Sequence, residues 1–88
     1  MYKSNKEFLE DHGYLNDYDE IVFLSDEFVN SIIGFDDNLE KLIYSYQLMR
    51  DDLIDEGMDY EEACDYLDYN VVRALPYINN APVVCMEL

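Results

Sequence analysis

Apolar residues recur at helical spacing most clearly between Gly57 and Pro76, in GMDYEEACDYLDYNVVRALP. At about 100° per residue, Tyr60, Ala63, Cys64, Leu67, Val71, Ala74 and Leu75 fall on one face. Glu61, Asp65 and Asp68 fall on the other, with Glu62 beside them. Asp59 is placed to cap the helix, because its carboxylate can accept from first-turn amides that have no partner inside the helix. Glu62, three residues on, completes a capping-box pattern. Pro76 is expected to stop the helix, since the residue before a proline is steered out of the α region. Upstream, Tyr46, Met49 and Leu53 are spaced three and four apart. They predict a second helix from Ser45 or Tyr46 to Glu56, ended by Gly57, with Asp51, Asp52 and Asp55 pointing away from the apolar stripe. The link Gly57-Met58 is short, so the two helices are expected to be antiparallel neighbours.

The remaining apolar runs are brief and β-rich. Ile21 to Leu24 predicts a buried strand. Ser25 to Asn30 is ambiguous, with Ser25 able to cap a single turn through Asp26 and Glu27. Ser31 to Phe35 and Lys41 to Tyr44 flank the turn-forming Asp36-Asp37-Asn38 and predict a β-hairpin. Ala81 to Met86 reads as a final strand, with Pro82 at its start, where a missing amide donor does least harm. At the other end, Ser4 to His12 carries the capping box S-N-K-E. It predicts a short first helix anchored by Phe8 and Leu9, with Gly13 just past its end. Asn16 to Glu20 is expected to be a polar connector. The sum is an α+β fold in a single small domain, 1–88. A small antiparallel sheet, made of the hairpin and a C-terminal strand, packs against two antiparallel amphipathic helices, with a short N-terminal helix added.

Composition limits the core. A chain of 88 residues buries only roughly 60–65% of its unfolded surface, and nine tyrosines and four phenylalanines supply its bulk without a tryptophan. No apolar run approaches the roughly 18 residues of a membrane span, and no signal-peptide pattern opens the chain, so no membrane is expected as a partner. Cys64 and Cys85 form neither a C-x-x-C pair nor a disulfide framework and are expected to be buried thiols.

Charge changes the picture more than composition does. Twenty-one acids face five lysines and arginines, for a formal net charge of −16. No lysine or arginine lies between Glu7 and Glu40, nor between Asp51 and Asp68. Two carboxylates about 6 Å apart in water repel by about 0.7 kcal/mol before salt screening. Summed over a surface, this becomes a noticeable fraction of a typical stability of about 5–15 kcal/mol. A surface selected only for solubility mixes signs more often.

The middle and C-terminal residues resemble a group of small bacteriophage and prophage proteins. The shared order is IIGF, an acidic turn, LIYSYQLM, then GMDYEEACDYLDYNVVRALPYI and APVV. In that group a hairpin ending in an aromatic I-Y-x-Y leads into two helices. The second helix carries E-E-A-x-x-Y-x-x-Y-N, then R-A-L-P-Y and a terminal A-P-I-I. The likeness runs from about Ser31 to Met86, and its most specific parts are Tyr69-Asn70 and Arg73-Ala74-Leu75-Pro76-Tyr77. It implies a phage accessory protein in the cytoplasm of an infected bacterial host, and it brings no catalytic residues. Small acidic anti-CRISPR and anti-restriction inhibitors are an analogy of size and charge alone.

Little in the chain points to catalysis, and an enzyme is not expected. His12, the only histidine, follows Glu10-Asp11 with no nucleophile nearby in sequence and reads as a surface residue near a helix C-terminus. Acids four apart on a helix, such as Asp51/Asp55 or Glu61/Asp65, are far commoner as solvated faces than as acid–base pairs. Asp36-Asp37-Asn38 followed by Glu40 lacks the glycine and spacing of a calcium loop. No P-loop, dinucleotide fingerprint or zinc spacing is present, so no cofactor or metal is expected. Direct binding to nucleic acid is opposed by the charge itself.

Two functions follow. In the first, Asp51, Asp52, Asp55, Glu61, Glu62, Asp65 and Asp68 form one anionic patch. Its carboxylates, about 5–6 Å apart, imitate backbone phosphates. The partner is then a basic nucleic-acid-binding host protein, a CRISPR effector or a restriction enzyme. In the second, Tyr66 and Tyr69, on the border between stripe and acids with Arg73 one turn on, anchor a phage adaptor or a homodimer. Asn70, near the stripe, is expected to tie down a loop or the last strand. Acidity as an adaptation to a salty source is a third account.

Overall fold

The computed structural model describes residues 1–18 and 20–86. Helix α1 spans Asn5–Asp11, strand β1 Ile32–Asp36, strand β2 Lys41–Ser45, helix α2 Tyr46–Asp55, helix α3 Tyr60–Leu67 and strand β3 Val83–Cys85. Three 3₁₀ turns, Gly13–Asp17, Asp26–Ser31 and Leu75–Tyr77, and a π-helical turn, Asp68–Val72, fill the connections. The fold is α+β, as the pattern of periods predicts.

Strand β2 is central, between β1 and β3. Leu42 and Tyr44, two residues apart on one face of it, are wholly buried. Opposite them on β1 stand Phe35 and Ile32. These two lie three apart and would point to opposite faces of a regular strand. The register shift between Ile32 and Gly34 inserts Ile33 as an extra residue, so both neighbours reach the core side. Ile33 itself is left half exposed. At the hairpin tip, Asp36 Oδ1 accepts from the amides of Asn38 (3.0 Å) and Leu39 (3.1 Å), and Glu40 takes the positive φ of 56° that closes the loop.

Each helix begins at a capping side chain, and α2 ends at its glycine signal. Ser4 accepts from the Glu7 amide and Asp59 from the Glu62 amide, as their positions predict, and Ser45 accepts from the Leu48 amide to cap α2. At the end of α2, the Met58 amide reaches back to the Leu53 carbonyl (3.1 Å) and the Gly57 amide to that of Ile54 (3.0 Å). That pair of bonds is a Schellman cap, with Gly57 at φ +116° and Met58 folded back onto the core beside Leu53. Helices α2 and α3 pack on each other directly after this turn, their apolar stripes contributing Met49, Leu53, Ala63 and Leu67 to the core.

Five expectations are corrected. First, β3 pairs parallel to β2, giving a mixed sheet rather than an antiparallel one. The whole of α2, α3 and the turns after them lies between the two strands, which is ample chain for a parallel crossover. Second, Ile21 to Leu24 is not a strand. Both edges of β2 are already taken, and the run packs irregularly against the core instead. Its backbone is satisfied by side chains: the Leu24 amide donates to Tyr44 Oη (3.0 Å), and the Leu24 carbonyl accepts from Asn5 Nδ2 (2.7 Å).

Third, the long helix is α-helical only to Leu67. The Arg73 amide then bonds the Asp68 carbonyl five residues back (3.0 Å). The wider turn keeps Val71 buried below Leu67, and Pro76 sits inside the following 3₁₀ turn rather than beyond a helix end. Fourth, the expected connector Asn16–Glu20 overlaps the turn Gly13–Asp17, which buries Leu15; its Asp19 lies outside the described residues. Fifth, Gly13 begins that turn without a positive φ, so it is not a left-handed cap.

Only Gly57 among the glycines therefore requires glycine for its backbone angle. Gly57→Ala is expected to lower stability by about 1–2 kcal/mol, whereas Gly13→Ala, in open space, stays close to wild type. Urea denaturation of both variants checks the contrast.

Candidate partner-binding surface

The acids assigned to the anionic patch separate into two groups. Asp55, Glu61, Glu62, Asp65 and Asp68 are exposed. They are joined by Glu56 and Asp59, also exposed, in the turn between the helices. Asp51 and Asp52 are drawn partly inward. The Arg50 guanidinium lies 3.3 Å from Asp51 Oδ1, and Asp52 Oδ2 accepts from the buried hydroxyl of Ser31 at 3.4 Å. Burial pushes the Asp52 carboxyl above the ordinary carboxylate range, and its neighbours Asp55 and Asp51 push it the same way, against the Ser31 bond. The expectation that Asp52 points freely away from the stripe is corrected by this contact. Because α2 packs against the turn Asp26–Ser31, its outer side is covered there.

Arg50 is, among the described residues, the one lysine or arginine within 4.0 Å of a carboxylate. It also lies over the ring of Tyr60, 4.9 Å from the centroid. Tyr60 itself, expected on the apolar stripe, is 61% exposed. At the first turn of α3 it stands beyond the edge of the core and meets Arg50 instead.

Among the described residues, the side chains that donate to carboxylates are mostly tyrosines. The hydroxyls of Tyr2 and Tyr18 donate to Asp11 and Asp37. Tyr46 donates to Asp68 Oδ1 (3.1 Å), and Tyr66 to Glu27 Oε1 (3.2 Å). Each contact holds the phenol above its ordinary range. The carboxylate bond is the main cause for Tyr2 and Tyr18. Burial is the main cause for Tyr46 and Tyr66. Of the four acids held in this way, Asp68 alone is among the expected site residues; Asp11, Glu27 and Asp37 are not. For Glu27 the available signal is its place beside Asp26 in a segment with no settled period.

The two candidate tyrosines differ. Tyr66 is half-buried and tied to Glu27, whereas Tyr69 is 71% exposed, with the Arg73 guanidinium 5.9 Å from its ring centroid. Asn70 is exposed, not half-buried, and bonds the Tyr66 carbonyl within its own helix (3.0 Å) rather than a loop or strand. The π turn rotates it outward. Cys64 and Cys85 are free and half-buried, so neither is the fully buried thiol expected. His12 caps α1, stacked on Phe8 at 4.2 Å with Nδ1 3.0 Å from the Phe8 carbonyl oxygen.

Among the described residues no group of three or more His, Cys, Asp or Glu converges as a metal site, and no helix is long and apolar enough to cross a membrane. Comparison with protein-family models, curated proteins and solved structures yields no match.

The Asp52 contact has a measurable pH dependence. A carboxyl whose folded pKa is raised leaves the folded state binding more protons than the unfolded one, so stability falls as pH rises from the ordinary aspartate pKa through the raised value. Asp52→Asn keeps an acceptor for Ser31 and removes that loss. The variant is expected to exceed wild type in Tm at about pH 7 and to converge with it near about pH 4. Thermal melts at both pH values, compared at low and high salt, provide the measurement.

Proposed function

We propose that the chain is a non-enzymatic, phage-encoded inhibitor that imitates the phosphate backbone of a nucleic acid. On this reading it occupies the basic groove of a host defence protein, a CRISPR effector or a restriction enzyme, in the cytoplasm of the infected bacterium. The observation that carries the reading is the uncompensated acid that runs from the end of α2 through α3 to the start of the π turn. Asp55, Glu61, Glu62, Asp65 and Asp68 are all exposed, and none of them lies within 4.0 Å of a lysine or arginine among the described residues. Acids three and four apart on a helix stand at about 5–6 Å, close to the spacing of phosphates along one strand. A surface of this kind accelerates encounter with a basic cleft and makes binding strongly dependent on salt.

A second reading is an adaptor or homodimer that uses exposed tyrosines, favoured by the exposure of Tyr69 and of Tyr77, which is 90% accessible. Salt separates the two. Mixed with a guide-loaded CRISPR nuclease or a restriction enzyme at about 50 mM salt, the protein is expected to displace nucleic acid and to lose that effect as salt is raised. Replacing Asp55, Glu61, Glu62, Asp65 and Asp68 by Asn or Gln together is expected to weaken binding by on the order of 100-fold. Tyr69→Ala should weaken it far less. Association that survives high salt and disappears in Tyr69→Ala supports the adaptor reading instead; a mobility-shift assay with labelled DNA reads the displacement, and gel filtration at both salt concentrations reads the association.

A further inference from the structure

Beside the acidic helix, a cleft of about 270 Å³ opens between the turn Asp26–Ser31 and the π turn Asp68–Val72. Its floor is apolar, with Phe23, Phe28, Val71 and Ile78, and its rim is polar, with Glu27 and Asn70. Among the described residues no lysine or arginine lines it. We propose that this cleft receives one arginine side chain of the basic partner, its methylenes on the apolar floor and its guanidinium against the Glu27 carboxylate. The inference rests on the reading of the chain as a ligand for a basic protein and names the contact that would orient it.

Three features favour an arginine. The volume is below the roughly 300–1,000 Å³ of sites for drug-sized ligands and suits a single side chain. The Glu27 carboxylate is engaged on one oxygen by the Tyr66 hydroxyl, which leaves the other for a donor. Asn70 uses its amide N–H on the Tyr66 carbonyl, so its side-chain oxygen is the end able to accept. An arginine presents several donors in one plane and stacks on aromatic faces such as those of Phe23 and Tyr66, whereas a lysine is a point charge. The π turn adds an independent observation. It departs from α geometry at the positions that line the cleft, and such turns recur where a helix is shaped around a ligand.

The test uses amide-resolved NMR titration of the intact protein with N-acetyl-arginine amide, N-acetyl-lysine amide and the uncharged N-acetyl-norleucine amide. The arginine probe is expected to bind with a dissociation constant on the order of millimolar, with shifts concentrated at Ser25, Glu27, Asn70 and Val71. Glu27→Gln, an exposed position that retains an acceptor for Tyr66, is expected to weaken it at least fivefold. The lysine probe should bind more weakly and the norleucine probe not measurably. Equal binding of norleucine or lysine overturns the assignment, as do shifts spread over the outer face of α3 or an unaltered Glu27→Gln titration. The same variant separates this inference from the broader one. If Glu27→Gln displaces nucleic acid from the basic partner as well as wild type does, the arginine cleft fails while the acidic-face reading stands.

Discussion

The burial of Tyr44 sets the rest of the molecule. Its ring is inaccessible near the end of β2, and its hydroxyl, raised to a pKa of about 12 chiefly by burial, is satisfied by the Leu24 amide. That bond joins the apolar packing of Ile21, Phe23 and Leu24 in docking a segment that has no strand partner, and the segment in turn holds Asn5 and the start of α1. One residue after Tyr44, Ser45 is at once the last residue of the strand, fully buried, and the cap of α2. No linker separates sheet from helix, so the central strand fixes the direction of α2. The Schellman turn at Gly57 then passes that direction to α3. The exposed acids inherit their placement from a tyrosine they never touch.

Much of this was legible because it rests on local chemistry. Ser4 and Asp59 cap the helices that their side chains predict, Gly57 supplies the one angle only glycine holds easily, and the Asp36 turn closes the hairpin. What sequence periods could not show depends on competition between distant segments. Whether Ile21 to Leu24 becomes a strand is decided by β1 and β3 occupying both sides of β2. The parallel pairing of β3 depends on where the chain stands after two helices, which no window of residues reveals. In the candidate site, the five outward acids followed from helical spacing, but the partial burial of Asp52 required knowing that Ser31 lies opposite. The exposure of Asn70 required the π turn, because an ideal helix would have placed that residue nearer the core.

The acidic face and the cleft would divide labour in the proposed complex. Long-range attraction raises the rate of encounter with any basic surface but discriminates poorly among such surfaces. A concave feature with one carboxylate at its rim works at contact distance and sets orientation. The π turn belongs to both, since Asp68 at its start lies among the outward acids while Val71 within it forms part of the cleft floor. A change in this turn would move the two together.

The tyrosine–carboxylate bonds have a further consequence. A lysine or arginine placed beside each acid would organise the surface equally well and would cancel charge as it did so. A phenol is a neutral donor. Tyr2, Tyr18, Tyr46 and Tyr66 orient four carboxylates without subtracting from the potential those groups project into solvent. The chain thereby gains fixed geometry at its surface while remaining, seen from a distance, as electronegative as its composition permits.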